Sequence, residues 1–114
     1  RGERMNISEL VNQAHETAKE KGWWDKEPAF GELVALCHSE LSEALEDYRS
    51  GNPLDKTWYD PLSDSPRGIP IELADVVIRI ADMCGYHGID LEAALKQKME
   101  YNRGRPYRHG GKVI

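Results

Sequence analysis

One segment of the sequence, residues 71–86, constrains the fold more than any other. Its sequence is IELADVVIRIADMCGY, and at about 100° per residue it forms a helix with an apolar arc of more than roughly 200°. An ordinary surface helix has an apolar stripe only somewhat wider than about 100°. Five polar side chains share the remaining strip, and these are Glu72, Asp75, Arg79, Asp82 and Tyr86. The pattern predicts a central helix whose polar strip either lines a cleft or faces solvent.

Three more segments have helical periodicity and recognisable ends. Residues 7–21 end at a glycine, residues 29–49 end before Ser-Gly-Asn-Pro, and residues 91–102 follow Asp90, a good N-cap residue. Together with residues 71–86 they predict four helices. The sequence therefore predicts an all-α fold of the four-helix-bundle type.

The stretch between the second and third helices, residues 50–70, contains four prolines and is predicted to be a long loop. Loops of this length in small domains are usually functional or disordered. Trp58 and Tyr59 would then either close over a ligand or anchor the loop. No strand is predicted, and the whole chain is interpreted as one domain with flexible ends at residues 1–6 and 103–114.

The composition limits the classes of function. A net charge of −5 argues against binding to polymeric nucleic acid, which needs a basic surface. No apolar run approaches the roughly 18 residues of a membrane-spanning helix. Cys37 and Cys84 lie in apolar stretches without CxxC spacing, which favours reduced core thiols, although one disulfide between them stays open. The sequence thus predicts a cytoplasmic globular domain.

Paired carboxylates on two helices are the main chemical feature of the chain. Glu40 and Glu43 share a flank of the second helix at the i, i+3 spacing, as Glu72 and Asp75 do on the third. If the two pairs converge, the four carboxylates raise one another's pKa unless cations neutralise them. Mg²⁺ is the cation that best suits oxygen ligands and phosphate, with Mn²⁺ as a substitute. The alternative is that both pairs are solvated surface groups.

Two motifs in this order resemble a known family. The sequence ELSE at residues 40–43, followed by ELAD at residues 72–75, resembles the MazG-like all-α nucleoside triphosphate pyrophosphohydrolases. Relatives of that family are the dimeric all-α dUTPases and the phosphoribosyl-ATP pyrophosphatases. The run KMEYNRGRPYRHGGK at residues 98–112 is similar to the family's K-x-x-x-N…R…HGGK ending. The resemblance extends over residues 7–112.

The resemblance implies a metal site and a reaction. It identifies Glu40, Glu43, Glu72 and Asp75 as ligands of Mg²⁺. It implies hydrolysis of a (d)NTP between the α- and β-phosphates, which gives a monophosphate and pyrophosphate and serves nucleotide-pool house-cleaning. Glu43 and Glu40 are the candidate catalytic residues, with Glu43 as the first choice for the general base. Members of the family are dimers or dimers of dimers.

The resemblance also identifies residues for the rest of the nucleotide. Four residues near the C-terminus are predicted to bind phosphate, and these are Lys98, Asn102, Arg105 and Lys112. Arg and Lys are apt there because they bind phosphate through several charged donors. His15 and Trp24 are candidates to contact the base. The alternatives are a solvated basic tail and a histidine at the edge of the helix stripe. Of the adjacent Trp23 and Trp24, one is expected in the core and the other free to stack.

The third helix bears on Arg79 and on assembly. Arg79 is predicted to form an ion pair with Asp75 or Asp82, or else to reach a phosphate. Four short helices can hardly cover so wide an apolar arc, so the chain is predicted to form at least a homodimer.

Two other functions stay open: a regulatory module that binds nucleotide and metal without turnover, and a structural oligomerisation domain.

Overall fold

The structure is a computed structural model that describes residues 5–107. Within that range it contains four helices, and these are α1 (Ile7–Glu20), α2 (Phe30–Arg49), α3 (Ile69–His87) and α4 (Leu91–Arg103). Two short strands lie between α2 and α3, and these are β1 (Trp58–Tyr59) and β2 (Pro66–Arg67). The predicted all-α class is confirmed for this part of the chain, whereas the prediction that it has no strand is wrong.

Local signals account for the helix ends. At the start of α1, Asn6 and Glu9 form a capping box in which each side chain accepts a hydrogen bond from the other's backbone N–H. Asp90 caps α4 as predicted, its carboxylate accepting a backbone N–H at 3.0 Å. Helix α3 begins at Ile69, earlier than predicted, because Pro70 fits the first turn, where helix N–H groups have no intrahelical partner.

The loop before α3 is a small antiparallel hairpin made by β1 and β2. Asp60 organises its turn, because one carboxylate oxygen accepts two backbone N–H groups at 2.8 and 3.2 Å. Gly68 has a φ of 121°, and a Cβ there would lie 2.3 Å from the Lys56 carbonyl oxygen. The hairpin therefore fits closely against the start of α3, whose first turn carries Glu72.

Helix α3 lies between α1 and α2 and packs against both, while α4 packs on α1. The core between α1 and α3 consists of small and medium side chains, chiefly Val11, Ala81 and Cys84. Both Cys37 and Cys84 are free thiols, so the alternative of a disulfide between them is not realised. None of the helices in residues 5–107 is long and apolar enough to cross a membrane.

Within residues 5–107, a broad apolar surface along α2 and α3 is left uncovered. Seven large apolar or aromatic side chains on it are between 36% and 60% exposed, and these are Phe30, Val34, Leu41, Leu45, Tyr48, Leu73 and Val77. The five on α2 fall within an arc of about 60°, and the two on α3 within about 40°. Helices α2 and α3 run antiparallel, because Glu40 pairs with Arg79 while Asp47, further along α2, acts on Glu72, nearer the start of α3. Each set lies to the same side of the line where the two helices meet, so both sets face the same way. We call these seven residues the α2/α3 apolar face.

Candidate metal centre

Three carboxylates converge where α2 faces the first half of α3. Glu40 comes from α2, and Glu72 and Asp75 come from adjacent turns of α3. One oxygen of each can be chosen so that all three lie within 4.8 Å of one another. All three residues are half-buried rather than fully solvated. The structure thus brings together three of the four residues that the sequence predicted as metal ligands.

The electrostatics of this cluster disfavour its negative charge. Burial raises the pKa of Glu72, and the neighbouring carboxylates of Glu43, Asp47, Asp75 and Glu40 raise it further. Burial also raises the pKa of Asp75, the charge of Glu40 adds to the effect, and Arg79 opposes it. A cation bound among these oxygens would relieve the repulsion.

Glu43, the fourth predicted ligand and the first choice for a base, lies outside the converging set. Its side chain is exposed on α2, although its charge contributes to the raised pKa of Glu72. Asp47, one turn further along α2, contributes in the same way. Glu43 therefore lies next to the three converging carboxylates on the same flank, with its carboxylate open to solvent.

Arg79 supplies a positive charge inside the cluster. Its Nε and Nη2 both donate to Glu40 Oε2 at 2.9 Å, across the α2–α3 interface. Its guanidinium also lies 5.1 Å from the ring centroid of Trp23. The prediction that Arg79 pairs with Asp75 or Asp82 on its own helix is wrong. The half-buried Glu40 offers a hydrogen-bonded partner that lies directly across the interface.

A cleft of about 480 Å³ adjoins the cluster between α1 and α3. Its apolar lining includes Met5, Leu10, Ala14, Ala18 and Ile78. Trp23 lies at this cleft and is 58% exposed, so that ring surface is open to a ligand. Five charged residues also line it, and these are Lys21, Glu40, Asp75, Arg79 and Asp82. The volume falls within the range of about 300–1,000 Å³ that is usual for small-molecule sites.

His15 and Trp24, the predicted base contacts, belong to an aromatic cluster beside this cleft. Both donate to Asp82 Oδ1, from His15 Nδ1 at 2.9 Å and Trp24 Nε1 at 2.8 Å. Trp24 stacks on Tyr86 with ring centroids 3.9 Å apart, and His15 meets both rings edge to face. In this arrangement Trp23, rather than Trp24, lines the cleft.

The sequence left open which of Trp23 and Trp24 is free to stack on a ligand, and Asp82 was not predicted to contact one. Trp23 follows Gly22, whose φ of 84° ends α1 and turns the chain. The Trp23 backbone N–H then bonds to the Ala18 carbonyl at 3.0 Å, which closes the end of the helix. Asp82 belongs to the narrow polar strip of α3, and that strip was the available signal.

The predicted phosphate-binding residues in α4 and just after it lie apart from this cleft. Lys98 and Arg105 each lie over the ring of Tyr101, at 4.9 and 5.6 Å from its centroid. Neither these residues nor Asn102 is among those that line the cleft. Lys112, the fourth predicted phosphate ligand, lies outside the described residues.

Comparison of the chain with protein-family models, with curated proteins and with solved structures found no match. The class defined so far is an all-α domain with a three-carboxylate cluster beside an apolar, aromatic-edged cleft. Its function is therefore inferred from the residues of this site.

Proposed function

We propose that this protein is a Mg²⁺-dependent nucleoside triphosphate pyrophosphohydrolase of the MazG-like type. It would hydrolyse (d)NTPs between the α- and β-phosphates, releasing a monophosphate and pyrophosphate, in nucleotide-pool house-cleaning. One observation carries the proposal: Glu40, Glu72 and Asp75 converge within 4.8 Å of one another, and two of them line the adjoining cleft.

The residues of the cluster fit a hard divalent cation. Their donors are all carboxylate oxygens, the ligand type that Mg²⁺ and Mn²⁺ prefer. Burial raises the pKa of Glu72 and of Asp75, and the neighbouring carboxylates raise both further, so a bound cation would favour their ionised forms. Glu40, Glu72 and Asp75 would hold the ion, and Glu43 is proposed as a fourth ligand.

Catalysis of this kind depends mostly on positioning and on neutralising charge. When bound, Mg²⁺ would neutralise phosphate oxygens and lower the pKa of a coordinated water. Glu43, exposed next to Glu72, is proposed to accept the proton of the attacking water, with Glu40 as its catalytic neighbour. Trp23 would hold the base by stacking, because every base offers a π-face.

The remaining contacts are also part of the proposal. Lys98, Asn102 and Arg105 do not line the cleft of their own chain, so together with Lys112 they are proposed to bind phosphate at the cleft of a second copy, and His15 and Trp24 to border the base site. A second copy of the chain is proposed to cover the α2/α3 apolar face, which makes the active protein a homodimer or a dimer of dimers. Monomeric soluble proteins rarely expose large contiguous apolar patches of this kind.

The test is an assay of the purified protein with a panel of NTPs and dNTPs, in MgCl₂ and in EDTA. Nucleotide products are separated by chromatography, and pyrophosphate is measured in parallel. We expect monophosphate and pyrophosphate in MgCl₂ and neither in EDTA. Asp75→Asn should lower the rate at least about 100-fold because it removes a charged ligand. Diphosphate and orthophosphate as products would show that a different bond is cleaved.

Asp55→Asn is the matched control, since Asp55 is exposed in the loop before β1. It should retain the wild-type rate. If Asp75→Asn also retains that rate, Asp75 does not serve as a metal ligand and the proposed centre is wrong.

A second candidate function is a regulatory module that binds nucleotide and Mg²⁺ without turnover. The position of Glu43 favours it, because the first choice for a base lies outside the three converging carboxylates. Mg²⁺-dependent binding of nucleotides, with no monophosphate released from any of them, would distinguish this function from the enzyme.

A further inference from the structure

Arg79 lines the cleft and contacts one of the proposed metal ligands directly. Its Nε and Nη2 atoms each lie 2.9 Å from the same oxygen, Glu40 Oε2. Arg79 extends from α3 and Glu40 from α2, so the contact joins the two helices that carry the three-carboxylate cluster. The guanidinium also lies over the ring of Trp23, 5.1 Å from its centroid. Contacts with two other elements of the chain therefore hold this guanidinium in place.

This contact makes the two oxygens of Glu40 different. A carboxylate oxygen has two lone pairs, and Oε2 uses both to accept hydrogen bonds from Arg79. Oε1 accepts neither of these bonds and keeps its lone pairs for a cation. The pair is half-buried, with side chains 28% and 21% exposed, so water competes less for Arg79 than at an exposed ion pair. Glu40 is therefore prepared to bind a cation through one oxygen.

Divalent cations differ in how they use a carboxylate. Mg²⁺ requires nearly octahedral coordination by about six ligands, several of which are commonly waters. Ca²⁺ accepts roughly six to eight oxygens and can take both oxygens of one carboxylate. Because Arg79 occupies Oε2, Glu40 can offer either ion only Oε1. This restriction costs Mg²⁺ little and removes a two-oxygen ligand from Ca²⁺.

We infer that Arg79 is a positioning residue that keeps Glu40 a one-oxygen ligand and thereby favours Mg²⁺ over Ca²⁺ at the metal centre. The inference deepens the proposed function and rests on it. Partners that hydrogen-bond a metal ligand orient it, and their loss commonly changes metal affinity about 10- to 100-fold. Arginine suits this role because its planar fork presents several donors in a fixed geometry, whereas lysine is a flexible point charge.

The test measures cation binding to the purified protein without nucleotide. Mn²⁺ is bound first, and its electron paramagnetic resonance signal reports the free ion as MgCl₂ or CaCl₂ displaces it. Asp75→Asn should weaken Mn²⁺ binding, which locates the ion at the three-carboxylate cluster. The measured quantity is the ratio of the Ca²⁺ concentration to the Mg²⁺ concentration at half-displacement. Both ions carry the same charge, so a purely electrostatic effect largely cancels in this ratio.

The ratio should fall about 10-fold in Arg79→Gln and also in Arg79→Lys, which keeps the charge but loses the fork. Arg49→Gln is the matched control, since it removes the same charge from an exposed pair on α2, and it should keep the wild-type ratio. Circular dichroism shows whether the variants fold, and Arg79→Lys decides if Arg79→Gln does not. An unchanged ratio would overturn the inference, and so would a ratio that falls in Arg79→Gln while folded Arg79→Lys keeps it.

Hydrolysis of dNTPs in MgCl₂, assayed in parallel, separates the inference from the proposed function. Turnover by the wild-type protein with a ratio that neither Arg79 variant changes overturns the role of Arg79 and leaves the pyrophosphohydrolase standing. A ratio that falls in both Arg79 variants, without turnover by the wild-type protein, supports the role of Arg79 and points to the regulatory module. If the wild-type protein does not bind Mn²⁺, the metal centre and the role of Arg79 both fail.

Discussion

Arg79 places a guanidinium among carboxylates that repel one another. Its two hydrogen bonds to Glu40, at 2.9 Å each, are partly shielded, since the two side chains are only 28% and 21% exposed. Such a pair has more effect on stability than an exposed one, because removing one partner leaves the other charge poorly solvated. In the protein without metal, Arg79 thus acts as an internal counter-ion of Glu40.

Arg79→Gln should therefore destabilise the metal-free protein by about 1–2 kcal/mol. Urea unfolding in EDTA measures this loss, and MgCl₂ should recover much of it because a bound cation replaces the lost charge. Arg49→Gln is the control, since its pair with Glu46 is 68% exposed on both sides and should be worth less than about 0.5 kcal/mol. Equal losses in the two variants would contradict the counter-ion role.

The raised pKa of Glu72 predicts how stability depends on pH. Because folding raises this pKa above its ordinary value of 4.5, the folded state holds the proton more tightly than the unfolded chain. Its ionisation therefore costs nothing below pH 4.5 and destabilises the fold as the pH rises through the raised pKa. Burial is the main cause, and the carboxylates of Glu43, Asp47, Asp75 and Glu40 add to it.

Glu72→Gln should consequently be more stable than the wild-type protein at pH 7 in EDTA. The difference should vanish near pH 4, and urea unfolding at several pH values measures it. Glu20→Gln, at the exposed end of α1, is the control and should show no such divergence. A variant less stable than wild type at pH 7 would mean that the carboxylate of Glu72 is favourably paired.

At the scale of elements, the close approach of α1 and α3 holds the aromatic cluster beside the cleft. Gly85 allows this approach, because a Cβ there would lie 2.7 Å from the His15 Cβ and 3.3 Å from the Val11 carbonyl oxygen. The backbone carbonyl and the start of a side chain cannot rotate away. The crossing therefore depends on the absence of a side chain at this position.

Gly85→Ala should lower the free energy of unfolding by about 1–3 kcal/mol, since α1 and α3 must separate, despite the better helix propensity of alanine. Gly31→Ala is a matched control on α2, where nothing lies within 4 Å of an added Cβ. It should be neutral or stabilise by up to about 1 kcal/mol. Thermal unfolding of both variants measures the contrast, and a stabilising Gly85→Ala would show that the helices can adjust.

The helices could be predicted because their signals are local. Apolar periodicity, the Asp90 cap and the glycine after α1 all act within a few residues, and the structure has helices close to the predicted bounds. The hairpin was missed because its strands are only two residues long. The hairpin's turn depends on Asp60, and the end of the hairpin next to α3 depends on the close fit of Gly68. Neither feature produces a periodic pattern of apolar residues in the sequence.

Only those features of the site that depend on spacing within a single helix could be predicted from the sequence. Spacing placed Glu72 and Asp75 on one strip and Glu40 on the facing flank, and the structure brings these three together. The partner of Arg79 and the choice between two adjacent tryptophans depend on how helices and turns meet. These are tertiary contacts, and a helical wheel shows only which residues share a face of one helix.

At the scale of the molecule, the described chain has little interior. Its buried apolar residues are small or medium in size, and within residues 5–107 none of the large side chains is fully buried. Small domains bury a smaller fraction of their surface than large ones, which leaves little stability to spare. The α2/α3 apolar face is the surface where further burial would add most.

The spacing of that face suits a symmetric pair of identical chains. Val34 and Tyr48 lie at equal distances in sequence on either side of Leu41, all within one stripe of α2. Two antiparallel copies of α2 centred on Leu41 would place each Val34 against the other copy's Tyr48. Two-fold interfaces are self-complementary in this way, since residue i meets j and j meets i.

A charge at the centre of the face should therefore prevent assembly. We expect the wild-type protein to sediment as a dimer or tetramer and Leu41→Glu to sediment as a monomer, measured by analytical ultracentrifugation. In a dimer of Leu41→Glu, the two introduced carboxylates would meet at the two-fold axis without partners. Burying unpaired charges in a desolvated interface costs free energy. Leu62→Glu is the control, because Leu62 is 97% exposed at the tip of the hairpin and should leave the assembly unchanged. A monomeric wild-type protein would show that the face is not used between copies of this chain, and an oligomer that persists in Leu41→Glu would place the interface elsewhere.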